Sequence, residues 1–370
     1  MSEKSDKMTR RQALGVVGGL VVGGVVGAAG GYYAGFASAP PAPSGPGAVT
    51  TTVTQATTVT ASAAAVPKPF EDVSIWFFCG GTPGGSFESV VYNGALAAQQ
   101  VWGPKMTYIW SDWSPEKMVA SFKDAIAIKP DGIAVMGHPG DVGLDSLIDQ
   151  AFSQGIIVTS INTELPKAQD KYKAVGFGYV GQSLYGSGYT LGSACAKRLN
   201  LGKGSRALVW GLLAQETRGL RSKGCVDSLK DAGVTVDYLE ISADVNTDAT
   251  LGAPILTGYL LKNPDCTLVI TDHGNLTATA EVLLTTAGKK PGEVWAAGFD
   301  LAPNTIKGIQ DGYVLVTLDQ QQYLQGYLPP LQICLTKKYG FSGLYVDTGG
   351  GLVSKDNVGP VVELSKIGIR

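Results

Sequence analysis

The chain has 370 residues, of which 44% are hydrophobic and 16% are charged, so it is long enough for one large or two medium domains. Its 29 basic and 31 acidic residues give a net charge of −2, which argues against nucleic acid as a partner. The 50 glycines follow no period, which excludes a collagen-like structure.

The N-terminal residues are typical of a membrane-directed segment. Four basic residues between positions 4 and 11 precede an uncharged run from 12 to about 39, long enough to cross the roughly 30 Å hydrocarbon layer. Thr9–Leu14 is similar to a twin-arginine export signal, and Ala37–Ala39 suits a signal peptidase, although Pro40 disfavours cleavage. We expect 1–39 to be a signal or a retained membrane anchor that leaves the rest outside the cell membrane.

Residues 40–67 read as a stalk. They are rich in Pro, Thr, Ser and Ala, and the first charge, Lys68, comes only at their end, so they cannot bury enough apolar surface to fold. A soluble domain held just outside a membrane is therefore expected from position 68 onward.

Five cysteines are spread widely along the chain. Their odd number excludes a dense disulfide framework, and none has the spacing of a metal site. Most are expected to be small buried residues, with one bridge left open.

Apolar runs alternate with helical patterns after Pro69. The first set, in order, is strand 73–78, helix 87–103, strand 106–110, helix 114–129, strand 131–137, helix 143–155 and strand 156–162. The second set is helix 184–199, strand 206–212, helix 218–233, strand 235–241, helix 254–264, strand 266–272, helix 276–288, strand 294–300, helix 303–312 and strand 314–320. This rhythm predicts two similar α/β lobes, each a doubly wound parallel sheet, with a ligand cleft at the carboxyl ends of the strands.

The motif Gly176-Phe-Gly-Tyr-Val-Gly181 has the G-x-G-x-x-G spelling of a dinucleotide turn. Such a turn needs a strand before it and an acid roughly 20 residues after it. The preceding stretch 168–175 is polar and at best a short strand, and no acid occurs between Gly176 and Glu216. We therefore expect no cofactor, and we interpret the glycines as shaping a crossing between the lobes.

The order of motifs resembles the periplasmic sugar-binding proteins of the ribose-binding type. The segments that carry the resemblance are "GYVGQSLYGSGYTLG", "DGIAVMGHPGD" with "GIIVTSINTELP", "RGLRSKGCVDSLKDAG" and "AAGFDLAPNTIKGIQDGYVLVTLDQQQYLQGYLP". The resemblance covers about 70–365 and implies a substrate-binding subunit of an ATP-driven importer for simple sugars or polyols, not an enzyme. The implied lobes are 68–180 with 321–347 and 181–320 with 348–370, joined by hinge crossings near 181, 320 and 348.

Four polar side chains are expected to bind the ligand. Asp300, Asn162 and Gln320 end predicted strands, where carboxylate and amide groups can pair with sugar hydroxyls. Arg221 stands where the resemblance places a ligand-binding arginine, whereas neighbouring Arg218 is expected to be a solvated charge. The alternatives are a helix cap for Asp300, a surface role for Arg221 and a hinge hydrogen bond for Gln320; at Asn162 the family often has Asp.

Four aromatic side chains complete the expected site. His138 and His273 follow strands, and His273 matches a family position where an asparagine binds ligand. Phe87 and Trp113 are expected to stack on the apolar face of a sugar. Helix-core packing is the alternative for Phe87, and a loop-structuring role is the alternative for His138. No metal site is expected.

The leading hypothesis is an extracytoplasmic receptor for a monosaccharide or polyol that delivers it to ABC permease subunits. A monomer tethered to the membrane by its N-terminal segment is expected. The alternatives are a receptor that passes a sugar-like signal to a sensor kinase, a sugar-responsive repressor, which would need an upstream DNA-binding motif, and an NAD-dependent enzyme using residues 176–181.

Overall fold

The structure, a computed structural model, describes residues 67–370. The expected signal or anchor at 1–39, and the expected stalk except for Pro67, lie outside the described residues. Within 67–370, no helix is both long and apolar enough to cross a membrane.

The first part of the described chain alternates strands and helices. In order they are β1 (Ser74–Gly80), α1 (Ser86–Trp102), β2 (Lys105–Trp110), α2 (Pro115–Ile128), β3 (Gly132–Met136), α3 (Gly140–Ser153), β4 (Ile157–Ile161), α4 (Pro166–Tyr172) and β5 (Gly178–Gly181). Every residue of β3 and β4 is buried, as expected for apolar strands covered by helices on both faces.

The second part repeats the pattern. It contains α5 (Leu184–Arg198), β6 (Arg206–Gly211), α6 (Leu220–Asp231), β7 (Thr235–Glu240), α7 (Ala243–Thr247), α8 (Ala253–Lys262), β8 (Cys266–Thr271), α9 (Gly274–Thr286), β9 (Trp295–Phe299), α10 (Pro303–Asp311) and β10 (Val314–Asp319). The chain ends with α11 (Gln322–Tyr339), β11 (Tyr345–Asp347), β12 (Gly351–Ser354) and α12 (Val362–Lys366).

The strands form two six-stranded sheets, and this confirms the predicted fold class. The first sheet has the order β11-β5-β4-β3-β1-β2 and is parallel throughout. The second has the order β12-β10-β9-β8-β6-β7 and is parallel except for β12, which runs antiparallel to β10. The chain passes from one sheet to the other after β5, after β10 and between β11 and β12, and α11 returns to pack on α1, β4 and β5 of the first lobe.

The glycine motif has a different structure from the one expected. The stretch before Gly176 is α4 followed by a short 3-10 turn at Lys173–Val175, not a strand, because α4 begins at Pro166, where proline suits the first helical turn. Gly176 has a φ of +114°, and the next two glycines of the motif lie within β5. A strand therefore lies inside the motif instead of before it, which is the reverse of a dinucleotide turn, and the crossing begins only after Gly181.

Helix α11 lies beyond the last element that the sequence analysis assigned. Its 18 residues include Pro329 and Pro330, which interrupt the helical pattern because proline lacks the N–H of a helix interior. All five cysteines are buried thiols without a disulfide, so the bridge left open above is not formed.

Helices α1 and α11 approach closely through two glycines. A Cβ at Gly326 would lie 1.8 Å from the carbonyl oxygen of Val91, and one at Gly94 would lie 2.0 Å from the carbonyl oxygen of Tyr323. Any side chain at either position must push the two backbones apart.

We expect Gly326→Ala to lower the free energy of unfolding by roughly 1–3 kcal/mol, because overpacking outweighs the better helix propensity of alanine. Urea denaturation of the purified chain measures the change. Gly258→Ala in α8 is the control, since a Cβ at Gly258 would meet no atom within 4 Å and the variant should be neutral or slightly stabilised. Equal stability of the two variants would contradict the close approach.

Candidate functional site

A cavity of about 120 Å³ lies between the two sheets, at the carboxyl ends of their strands. The structure brings together all eight residues predicted from the sequence, namely Phe87, Trp113, His138, Asn162, Arg221, His273, Asp300 and Gln320. Nine further residues line the same cavity, namely Ser86, Glu88, Pro115, Leu212, Gln215, Arg218, Asn246, Gly274 and Asn275.

Asn162 and Asp300 hold equivalent positions in the two lobes. Each follows the last residue of a strand, β4 or β9, and each has a left-handed backbone, with φ of +63° and +74°. Asparagine and aspartate tolerate this conformation better than other side chains. The turn ends each strand and leaves both side chains at the cavity wall, where both are buried.

Two arginines and one aspartate form a buried ion cluster in the second lobe. Asp272, directly after β8, accepts hydrogen bonds from Arg221 Nη2 at 3.0 Å and pairs with Arg218. Arg218 is 5% exposed, so the expectation of a solvated charge was wrong; its position just before α6 faces the cluster instead of solvent. Nη1 of each arginine has no partner among residues 67–370, and both residues line the cavity.

The electrostatics of this cluster favour the ionised form of Asp272. Burial opposes ionisation of Asp272, but the two guanidinium groups outweigh it and hold its pKa well below the usual range. Burial lowers the pKa of Arg221, whose guanidinium also lies 4.1 Å from the ring centre of Phe299. Burial raises the pKa of Asp300, and Arg221 opposes that shift.

His273 is held in one tautomer. It caps helix α9, where its Nδ1 accepts the N–H of Leu276 at 3.4 Å. Burial lowers the pKa of His273 to about 4, so the ring is neutral at neutral pH and its proton sits on Nε2. Nε2 has no partner within the described chain, so it is a free donor in a residue that lines the cavity.

The first lobe contributes an aromatic wall. The rings of Phe87 and Trp113 lie 5.5 Å apart edge to face, and His138 lies 5.0 Å from Trp113. Burial lowers the pKa of His138 to about 3, so this ring is also neutral. Glu88 anchors the wall, since its buried carboxylate accepts hydrogen bonds from the Thr82 backbone at 3.1 Å and from the Trp113 side chain.

Buried amides tie the three crossings together behind the cavity. Gln320 Oε1 accepts hydrogen bonds from Asn162 at 2.8 Å, from Gln182 at 3.1 Å and from Gln325 at 3.2 Å. Gln325 also donates to Thr348 Oγ1 at 3.1 Å, and Gln320 Nε2 donates to Asp300. Gln320 therefore lines the cavity and also makes the hinge hydrogen bonds that were its alternative role.

Several lining residues were missed in the sequence. Glu88 stands in the first turn of α1, where an acid is usually solvated. The sequence signal for its burial is the glycine-rich loop 80–85, because a Cβ at Gly81 or Gly85 would collide with the Glu88 carboxylate. Asn246 lies on α7, a short helix that periodicity does not reveal. Gln215 lies on a loop, where no pattern marks it.

The free groups of the cavity suit a neutral ligand rich in hydroxyls. Guanidinium and imidazole N–H groups can donate, carboxylate and amide oxygens can accept, and the aromatic wall can stack on C–H groups. Within residues 67–370, no group of three or more His, Cys, Asp or Glu side chains could hold a metal ion.

Comparison with known proteins agrees with this geometry. The periplasmic binding protein domain family matches this chain over residues 77–330. A xylose/arabinose-binding protein, XylF, of Sulfolobus acidocaldarius is 30% identical over an alignment of 264 residues that covers 67% of this chain. The chain spans 63% of the length of that relative.

Two solved structures are similar to this chain over nearly their whole length. A carbohydrate transporter from Acidothermus cellulolyticus, in complex with myo-inositol, is 26% identical with a TM-score of 0.69, covering 80% of this chain and 99% of its own. A solute-binding protein of an ABC transporter from Burkholderia graminis, in complex with D-arabinose, is 22% identical with the same TM-score and the same coverage, and shows the fold. With two-thirds of its length matched by the family and the two-lobed fold shared with these structures, the chain belongs to the periplasmic binding protein domain family.

Proposed function

We propose that the protein is an extracytoplasmic solute-binding protein that captures a simple sugar or polyol and delivers it to an ABC importer. The observation that carries the proposal is the cavity between the lobes, where free N–H donors, a buried carboxylate and an aromatic wall face one space. A sugar has hydroxyls that both donate and accept and C–H faces that stack on aromatic rings. A ligand that leaves these buried groups unpaired is penalised, which gives selectivity.

The size of the cavity favours a monosaccharide. About 10–15 Å³ of cavity space is the minimum for one water, so a cavity of about 120 Å³ has room for several waters or for one small ligand. That is the scale of one sugar ring with its hydroxyls, and it is too small for an oligosaccharide. The relatives named above, with xylose, arabinose or inositol in their descriptions, support the same ligand class for this chain.

The proposed mechanism is hinge closure. We propose that 68–180 with 321–347 and 181–320 with 348–370 move as two bodies about the three crossings. The eight predicted residues bind the ligand in this proposal, with Arg218 and Glu88 added. Asp300 accepts from hydroxyls, Arg218 and Arg221 donate from Nη1, and Phe87 and Trp113 stack on the ring. Gln320 holds Asp300 in place.

The proposal places the protein outside the cell membrane, as is general for periplasmic binding proteins. Residues 1–39 act as an export signal or as an anchor, and residues 40–67 act as a spacer that holds the domain near the permease subunits. Western detection of the chain in membrane and soluble fractions after cell breakage distinguishes the anchored form from the cleaved form.

A thermal-shift screen of the purified protein tests the function. The panel contains D-xylose, D-arabinose, L-arabinose, D-fucose, myo-inositol and NAD, each at 1 mM. A sugar with a Kd below about 10 μM should stabilise the protein by roughly 2.7 kcal/mol and raise Tm by about 5 °C or more. Calorimetry on the hits gives Kd. A shift with NAD alone would overturn the proposal and support a dinucleotide site.

A further inference from the structure

We propose that the buried amides at the crossings fix Asn162 as a hydrogen-bond acceptor toward the cavity, so that the ligand must present a hydroxyl donor there. The inference rests on the proposed function, because it concerns recognition at the same cavity. It makes Gln320 and Gln325 positioning residues for Asn162.

The first step concerns Gln325, which is fully buried. Its Nε2 donates to the backbone carbonyl of Gln320 at 2.9 Å and to Thr348 Oγ1 at 3.1 Å. A backbone carbonyl can only accept, so the amide nitrogen of Gln325 must face it. The amide oxygen of Gln325 therefore faces Asn162, whose Nδ2 lies 3.2 Å away.

The second step concerns Gln320. Its Nε2 donates to Asp300 Oδ1, and its Oε1 accepts at 3.2 Å from Gln325 Nε2, whose direction the backbone carbonyl fixes. Its Oε1 must then face the amides of the crossings, where Asn162 Nδ2 lies 2.8 Å away. The backbone carbonyl thus directs two amide oxygens at the same side chain.

Asn162 can satisfy both oxygens only with its NH₂ group. Its Oδ1 is left at the cavity wall, without a hydrogen-bond partner among the residues that the structure describes. Asn162 therefore offers an acceptor from the first lobe. The second lobe offers the acceptor Asp300 together with the free N–H groups of Arg218, Arg221 and His273. A ligand is oriented by this arrangement, with one hydroxyl that donates to Asn162 and other oxygens that accept from the N–H groups of the second lobe.

The test is Asn162→Asp, which preserves the shape and the tolerance of a left-handed backbone. In the ionised variant, a carboxylate oxygen faces two amide oxygens and repels them. In the protonated variant, the single carboxyl O–H donates to one of the two amide oxygens, and the carbonyl oxygen faces the cavity as in the wild type. Other charged or titratable groups line the same cavity and also respond to pH, namely Glu88, Asp300, Arg218, Arg221, His138 and His273. Each measurement on the variant is therefore compared with the wild type at the same pH.

The direction of the pH dependence of stability follows from the difference in pKa between the folded and the unfolded variant. The ionised carboxyl is disfavoured by burial and by the facing oxygens, so the folded variant has a raised pKa at this position and holds a proton that the unfolded chain releases near pH 4. The stability deficit of the variant is therefore largest at high pH and shrinks as pH falls through the folded pKa. Without ligand, we expect a Tm about 4 °C or more below the wild type at pH 8 and a clearly smaller deficit at pH 5.

Binding is measured by calorimetry with D-xylose, or with whichever of D-arabinose, L-arabinose, D-fucose and myo-inositol binds the wild type most tightly. We expect the ratio of variant to wild-type Kd to be at least about tenfold larger at pH 8 than at pH 5. Asn200→Asp is the matched control, since Asn200 has a left-handed backbone, with φ of +52°, but is exposed. This control should show neither a pH-dependent Tm deficit nor a pH-dependent Kd ratio.

An Asn162→Asp variant with wild-type stability and a pH-independent Kd ratio would overturn the inference, because its amide would then point the other way. The ligand-free melting series tests the amide orientation without a ligand, because repulsion by the two facing oxygens adds to the effect of burial. A wild type that binds none of the sugars would refute the proposed function and the ligand half of the inference, while the melting series would still support or refute the acceptor orientation.

Discussion

Replacing Asp300 by asparagine is expected to weaken sugar binding by about 100-fold or more. Asp300 is a buried carboxylate at the cavity wall, and hydrogen bonds to a charged acceptor contribute roughly 1.5–3 kcal/mol each. In the variant, the new amide oxygen accepts from Gln320 Nε2, which turns the NH₂ group toward the ligand. A donor then replaces an acceptor, and a hydroxyl that donated to Asp300 loses its partner.

Calorimetry with the sugar identified in the screen measures this loss. Asparagine tolerates the left-handed backbone at this position, where φ is +74°, so the variant is expected to fold. Asp244→Asn, an exposed aspartate on α7 of the same lobe, controls for the substitution and should leave Kd unchanged. An unchanged Kd in the Asp300 variant would remove this residue from the site.

The largest effect on stability is expected for Asp272→Asn. The carboxylate of Asp272 is the counter-charge of two guanidinium groups that are 5% and 2% exposed. Removing one partner of a buried ion pair leaves an uncompensated charge, which lowers the free energy of unfolding by about 3–5 kcal/mol. Because Arg218 and Arg221 also line the cavity, sugar binding should be lost as well.

Urea denaturation at pH 7 measures the change in stability. Asp265→Asn is the control, since Asp265 pairs with Arg206 at 2.9 Å on the surface and should lose less than about 1 kcal/mol. The pKa of Asp272 is held below its usual range, so its contribution is present above the unfolded pKa near 4 and declines only below it. If the two variants were equally stable at pH 7, the buried cluster would not need this carboxylate.

The strand ends of the site were predictable because their signal is local. Asn162 and Asp300 each follow an apolar run that can be read from neighbouring residues, and parallel strands bring their carboxyl ends to one edge. Arg218 and Arg221 lie three positions apart, and the sequence pattern did not show that both are buried. The burial of both arginines depends on Asp272, which directly follows β8, a different element of the lobe.

The features that the sequence analysis missed all depend on contacts that the folded chain makes beyond its local sequence pattern. The fit of Glu88 into a glycine loop requires the folded backbone, and the helical state of α11 depends on packing that overrides its two prolines. The amide oxygens and nitrogens at the crossings take their directions from partners up to 163 positions apart, as for Asn162 and Gln325. No periodicity carries such information.

The close approach of α1 and α11 has a consequence for synthesis on the ribosome. Helix α1 is made early, but Gly326, which fits against it, leaves the ribosome only after the strands β6 to β10 of the second lobe. At about 5–20 residues per second, this delay is on the order of 10–50 s. During this interval one face of α1 stays uncovered in the nascent first lobe while most of the second lobe is synthesised. A chaperone that covers exposed helix faces is therefore needed most at this stage.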